Sequence, residues 1–216
     1  MTPDESSNRV RFAVRRRWRL AMNAALLAAL PAQAQAQVAE RPRAAVGDRW
    51  EFVAYGTVPS RIPNRTWLVT SIGSGRVFGT ENGEPLALTD ELNVVDSPRH
   101  SESNPKQLSF PLEVGKRWRY VSEWLFKAKS SRGTVAFDVS VVGYEPVHVP
   151  GGTFDAFKLV AIGELGGTSP VNSIYAGRMT VTYWYSPEAR AIVRSVRHNP
   201  YLGTETVELV TFELRR

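Results

Sequence analysis

From Gly47 onward the apolar side chains recur at every second position, in short runs broken by Gly, Pro, Asn or Ser. That period puts alternate side chains on the two faces of an extended chain, so it predicts strands rather than helices. Trp50, Phe52 and Ala54 alternate with Arg49, Glu51 and Val53. Beyond a loop at 57–64, Trp67 and Val69 alternate with Thr66, Leu68 and Thr70, Gly73-Ser74-Gly75 turns the chain, and Asn82-Gly83 signals a tight hairpin. The clearest run follows, with Trp118, Tyr120, Ser122, Trp124 and Phe126 on one face and Arg117, Arg119, Glu123 and Lys127 on the other. A turn at 130–133 leads to Val135, Phe137, Val139 and Val141 as its hairpin partner.

Between Gly143 and Val196 three turn signals separate strand-like runs. Gly143–Val149 stops at Pro150-Gly151-Gly152, where Pro fixes φ and a Gly can supply positive φ. Phe154–Ile162 gives way to a Gly-rich loop, Met179–Tyr185 stops at Ser186-Pro187-Glu188, and Ala191–Val196 returns. Phe154 and Phe157 lie three apart, so a turn or bulge between them is expected to bring both rings to the core. The last run is 204–214. The segment from Asp96 to Pro105 is polar and lacks an aromatic anchor, which points to a mobile excursion. Val46–Phe52 and Val114–Tyr120 share Val, Gly, Arg and Trp at identical spacing, an indication of internal duplication. No amphipathic helix of ordinary length follows residue 36. The expected fold is therefore all-β, one domain over 47–216, with a single curled antiparallel sheet forming a half-barrel or open barrel.

The charge of the chain changes this picture only at its start. The formal net charge is +6, but residues 1–36 hold six arginines and two acidic residues, leaving 21 basic against 19 acidic side chains in the remainder. No basic stripe suited to a phosphate backbone remains, so a nucleic-acid partner is not expected. Arg11, Arg15, Arg16, Arg17 and Arg19 precede the apolar run Leu20–Leu30, and Ala34-Gln35-Ala36 offers a small-x-small cleavage site. This is the layout of a signal-peptide helix over 1–36, cleaved after Ala36, with 37–46 as a linker. The apolar run falls short of the roughly 20 residues that span a bilayer, so no transmembrane segment is expected after processing. Arg19 interrupts what would otherwise be a twin-arginine pattern, which favours the general export route. The chain contains no cysteine, so no lipobox thiol can be acylated and no disulfide can form. A periplasmic or secreted, non-lipidated protein is expected.

The chain carries few residues in a pattern that reactive chemistry needs. His100, His148 and His198 stand apart from one another and from any carboxylate cluster, so neither a metal nor a cofactor is expected. No hydrolase, zincin or dinucleotide-binding motif occurs, and no catalytic residue is assigned. Asp155 and Glu188 are the carboxylates nearest the aromatic motifs, but nothing in the spacing brings them to one cleft. The remaining signal is aromatic. Trp118, Tyr120, Trp124 and Phe126 along one strand, with Tyr183, Trp184 and Tyr185 on another, either fill a core or line an apolar cavity.

Phe110–Trp118, Val149–Phe157 and Tyr183–Glu188 together resemble a family of exported bacterial β-proteins known by a domain-of-unknown-function label, over roughly residues 45–214. The resemblance implies a curved half-barrel loosely similar to the lipoprotein-carrier fold, and it carries no catalytic residues across. The expected function is a non-enzymatic periplasmic binding or accessory protein, holding an apolar or amphiphilic small molecule on the concave sheet face. The alternative is an envelope assembly or scaffolding protein that meets a protein partner through a sheet edge. A carbohydrate-active enzyme using Asp155 and Glu188 is a third reading.

Overall fold

The computed structural model describes residues 37–57, 64–168, 174–199 and 203–215. The expected signal-peptide helix and its cleavage site lie outside them. The described residues hold fourteen strands: β1 (Val38–Ala39), β2 (Arg49–Gly56), β3 (Arg65–Gly73), β4 (Arg76–Glu81), β5 (Glu84–Thr89), β6 (Val94–Asp96), β7 (His100–Glu102), β8 (Leu112–Glu113), β9 (Arg117–Phe126), β10 (Ser131–Val149), β11 (Gly152–Thr168), β12 (Ile174–Ser186), β13 (Ala191–Asn199) and β14 (Gly203–Glu213). One turn of 3₁₀-helix, Lys127–Lys129, joins β9 to β10.

Twelve of these strands form a closed barrel in the order β10-β11-β12-β13-β14-β2-β3-β4-β5-β6-β7-β9, and β9 pairs back onto β10. This corrects the half-barrel or open barrel expected from the sequence. Closure comes from the segment expected to be a mobile excursion. Within it, β7 aligns His100 with Phe126, Ser101 with Leu125 and Glu102 with Trp124, so β9 is paired along both edges. At three residues each, β6 and β7 are too short to show a periodic pattern, and polar hydrogen bonds hold them. The Ser97 hydroxyl donates to the His100 carbonyl at 3.0 Å and accepts from the His100 N–H at 3.2 Å. Further along, the Ser103 N–H donates to the Glu123 carbonyl at 3.0 Å. Closure pairs the barrel strands with one another in a circuit, in place of the two open edges a half-barrel would have, while the two-stranded β1–β8 sheet keeps edges of its own.

Two apolar clusters fill the molecule. One gathers Tyr120, Trp124, Phe137, Val139, Phe157, Leu159, Val181, Tyr183 and Tyr185; the other gathers Trp50, Phe52, Val69, Leu86, Leu88, Phe154, Val193 and Leu209. Strand β11 contributes to both. Phe154 and Ala156 enter the second cluster while Phe157 and Leu159 enter the first, and the β10–β11 register is regular from Gly143 to the turn. Both rings are thus buried without the expected bulge between them, because this strand is covered on both faces.

The expected Gly-rich loop after Ile162 is instead the continuation of β11. Its glycines seat the aromatic stripe. A Cβ at Gly163 would lie 2.4 Å from the Phe137 ring, and one at Gly167 would lie 2.5 Å from the Trp124 ring. Within the expected linker, Val38–Ala39 pairs with Leu112–Glu113, and Ala39 is buried beside Leu108 and Leu112.

The two Val-Gly-x-Arg-Trp segments make the same turn. Gly47 and Gly115 have φ of 92° and 96°, and their N–H groups each donate at 2.9 Å to Val69 and Val141, respectively. Those two valines return hydrogen bonds of 2.9 Å to Asp48 and Lys116, and each lies at a register shift of its own strand.

The outer wall is charged. Arg119 bridges Asp138 at 2.8 Å in the open, and Lys158 and Arg194 each lie 5.3 Å from the Trp184 ring.

Candidate functional site

Between the two clusters lies a cavity of about 150 Å³, lined by members of both and by a set of charged side chains. Trp50, Phe52, Trp67, Leu88, Ile192 and Val207 supply much of its apolar wall; Arg65, His100, Glu102, Gln107, Arg190 and Arg197 are among its polar groups. Antiparallel connectivity sorts them along the barrel axis. Arg65 begins β3, His100 begins β7, and Arg197 and Glu205 lie near the β13–β14 connection, all at the same end. Trp50 near the start of β2, Leu88 near the end of β5 and Ala191 at the start of β13 lie toward the opposite end.

The charged end is built from ion pairs across neighbouring strands. Glu205 takes Arg65 at 3.1 Å on one oxygen and Arg197 at 3.4 Å on the other. Glu81, whose other oxygen accepts from Trp67 Nε1 at 2.9 Å, holds Arg99 at 3.4 Å. Glu102 accepts from Gln107 Nε2 at 3.2 Å, and His100 Nε2 stands 4.0 Å from its other oxygen. Among the described residues, Arg65 Nε, Gln107 Oε1 and the Tyr120 hydroxyl are buried with no hydrogen-bond partner.

Electrostatics follow from this packing. Burial, then the neighbouring Arg197, Arg65 and Arg99 charges, push His100 down to about 3, so the ring is neutral in ordinary conditions. Burial lowers Arg65 to about 10, with Arg99 adding to the effect, and leaves it cationic at neutral pH. Burial raises Glu102 above the usual carboxylate range. Burial would lower Arg197, but Glu205, Tyr183, Glu102 and Tyr120 together hold it above its ordinary value. The Tyr183 hydroxyl is likewise pushed up by burial.

The seven aromatics singled out in the sequence separate into distinct environments. Tyr183 lines the cavity. Tyr120 and Trp124 are packed in the first cluster, with Tyr120 5.4 Å from Phe137. Trp118 is half-buried against that cluster and donates from Nε1 to the Lys106 carbonyl at 2.8 Å. Phe126 is exposed at the end of β9, and Tyr185 meets Phe110 edge to face at 5.1 Å. Trp184 is half-buried, packed against the second cluster, and donates from Nε1 to Glu145 at 2.9 Å. Asp155 and Glu188 are both exposed, and neither lines the cavity. Pro150 and Gly151 form the β10–β11 tip. Among the described residues no group of three or more His, Asp or Glu side chains is placed to hold a metal ion. The charged set escaped sequence reasoning because its members come from five strands, and each looks like an ordinary surface charge on its own. A weak signal existed: Arg65, Arg197 and Glu205 fall on inward-facing positions by the period of their strands.

No protein-family model and no curated protein matches the chain. Solved structures do. An exported-protein candidate of YmcC-like fold from Bacteroides fragilis matches at TM-score 0.52 and 14% identity, over 81% of this chain and 99% of that one. A lipoprotein candidate from Parabacteroides distasonis matches at TM-score 0.50 and 13% identity, over 81% and 99%. The hypothetical lipoprotein YmcC from Escherichia coli gives TM-score 0.48 at 11% identity, over 76% and 83%. The first two establish a shared fold.

Proposed function

We propose that this chain is an exported, non-enzymatic binding protein whose barrel interior holds a small apolar or amphiphilic molecule. The observation that carries the reading is the cavity itself: a largely aromatic and aliphatic wall toward one end, where Arg190 is turned to Asp48, and a cluster of paired charges at the other, with unpartnered polar atoms buried nearby. Export rests on the basic, apolar and small-residue layout of 1–36. The names of the two structural neighbours, an exported-protein candidate and a lipoprotein candidate, agree with that location. A cavity of about 150 Å³ corresponds to on the order of ten waters, which suits a single short chain and excludes a whole two-chain lipid.

The reading is tested with the mature protein and decanol as a neutral probe, followed by calorimetry, beside native mass spectrometry of the protein taken from its own envelope. Ser195 lines the cavity from β13, opposite Tyr183 on β12. Ser195→Leu fills space there and is expected to weaken decanol binding about tenfold or more with an unchanged circular dichroism spectrum. Absence of both decanol binding and any co-purified small molecule overturns the reading.

A further inference from the structure

We propose that the molecule received by this cavity is a small anionic amphiphile, a carboxylate or an alkyl phosphate, seated tail first with its head between Arg65 and Arg197. The inference rests on the reading of the barrel as a ligand-holding cavity and adds the charge and orientation of the ligand.

The charge follows from a count of donors. At the head end the lining holds two guanidinium groups, Arg65 and Arg197, which share a single carboxylate, Glu205, behind them, with Glu102 beside them; Arg190 lies at the other end and faces Asp48. Each guanidinium has five N–H donors in a planar fork. Glu205 engages one nitrogen of Arg65 and one of Arg197, and Arg65 Nε has no partner among the described residues. Glu102 already accepts from Gln107. His100 is neutral and adds no positive charge that a bound anion would need to share. A carboxylate or phosphate oxygen supplies the acceptor that Arg65 Nε lacks and a second contact for Arg197, through short charge-assisted bonds. A cationic head would meet like charges, and a hydroxyl head would satisfy fewer donors.

The orientation follows from the axial sorting. Arg197 is the most open of the charged side chains that line the cavity, at 39% exposure, against 28% for Arg190 at the far end, where Trp50 and Leu88 are 1% and 2% exposed. The end at Arg65 and Arg197 is thus the wetter of the two, and a tail that gains from leaving water is best seated past these arginines against the aromatic wall.

The test titrates the mature protein, below micellar concentrations, with decanoate, decyl phosphate, decanol, decyltrimethylammonium and inorganic phosphate. Decanoate and decyl phosphate are expected to bind at least tenfold tighter than decanol, with decyltrimethylammonium weakest. From butanoate to hexanoate each methylene should tighten binding by up to about fourfold, the value of a buried CH₂, and the gain per methylene should fall off toward decanoate as the cavity of about 150 Å³ fills. Arg197→Gln should cost decanoate about tenfold and leave decanol unchanged. The comparison within the unaltered protein stands even if that variant does not fold. Decanol binding as tightly as decanoate overturns the anionic class and leaves the cavity reading intact. Inorganic phosphate binding as tightly as decyl phosphate overturns the tail-first seating. If no probe binds, decanol included, the cavity reading itself falls.

Discussion

Burial and the facing Arg197, Arg65 and Arg99 charges lower His100 to about 3, with Asp96 acting against them and a Glu102 oxygen 4.0 Å from Nε2. An unfolded chain would protonate this ring near pH 6.5. Below that pH the unfolded state takes up a proton that the folded state refuses, so stability falls as pH falls, by at most about 1.4 kcal/mol per pH unit. Glu102 works in the opposite sense. Its raised pKa means that the folded state protonates first, so acid stabilises the fold through that group until the unfolded carboxyl also titrates. His100→Gln isolates the histidine. Between pH 6.5 and 5 the parent should lose on the order of 1–2 kcal/mol more than this variant, read from urea midpoints at each pH. Identical pH slopes would mean that the folded protein accommodates the imidazolium. None of this environment was legible in the sequence, where His100 stood in a polar stretch with no reactive neighbour. The three arginines that depress it come from β3, from β13 and from the β6–β7 connection.

At the scale of elements, legibility followed side-chain size and strand length. The β9–β10 hairpin declared itself because large inward residues alternate with charges over ten positions, and its register pairs Tyr120 with Phe137. The second half of β11 shows no period in the sequence because glycine has no side chain to alternate, yet its glycines are where Phe137 and Trp124 lie. The β10–β11 tip is a sharper test of local structure. Its Gly152 has φ of +132°, a region that β-branched residues rarely visit, although a Cβ there would meet nothing closer than the Phe154 ring at 3.8 Å. Gly152→Val should therefore destabilise by roughly 1–3 kcal/mol through backbone strain alone. Gly151 fails for another reason. It donates to the Leu209 carbonyl at 2.9 Å, and a Cβ would press on the Val210 carbonyl oxygen at 3.0 Å, so strand β14 would have to shift. His148→Ala, which removes only an exposed contact to Thr153, should stay within about 0.5 kcal/mol of the parent. Urea titration of the Gly152 and His148 variants decides between strain and packing. Equal midpoints for the two would show that the tip tolerates a β-branched residue at positive φ.

At the scale of the whole molecule, an all-β chain of many antiparallel strands was readable from its periods, but closure was not. Closure depends on three-residue strands and on long-range polar bonds that leave no periodic trace. One such tie sits where the first and last long strands meet. Strand β14 pairs with β2 from Glu205–Gly56 to Glu213–Arg49, and Asp48, fully buried beside that seam, bonds three segments at once. Its carboxylate accepts from the Ala45 N–H at 2.8 Å and the Arg215 N–H at 2.6 Å, and stands 3.5 Å from Arg190 in the β12–β13 turn. Lys116 holds the equivalent place in the second Val-Gly-x-Arg-Trp turn. It donates from Nζ to the Ser109 and Pro111 carbonyls at 2.6 and 2.8 Å, in contact with water. The same turn is thus used twice, once to tie the barrel seam in a dry site and once to hold a surface connection. Asp48→Ala would strand two backbone donors and leave Arg190 without its nearest carboxylate. A loss of about 2–4 kcal/mol is expected, because removing one member of a buried charged network exposes the full desolvation cost of the others. Asp48→Asn keeps one acceptor oxygen and should lose less, while Lys116→Met should lose about 1 kcal/mol or less, since water replaces exposed partners. Urea midpoints rank the three. A Lys116→Met loss equal to that of Asp48→Ala would mean that burial at the seam gives Asp48 no special weight in holding the barrel closed.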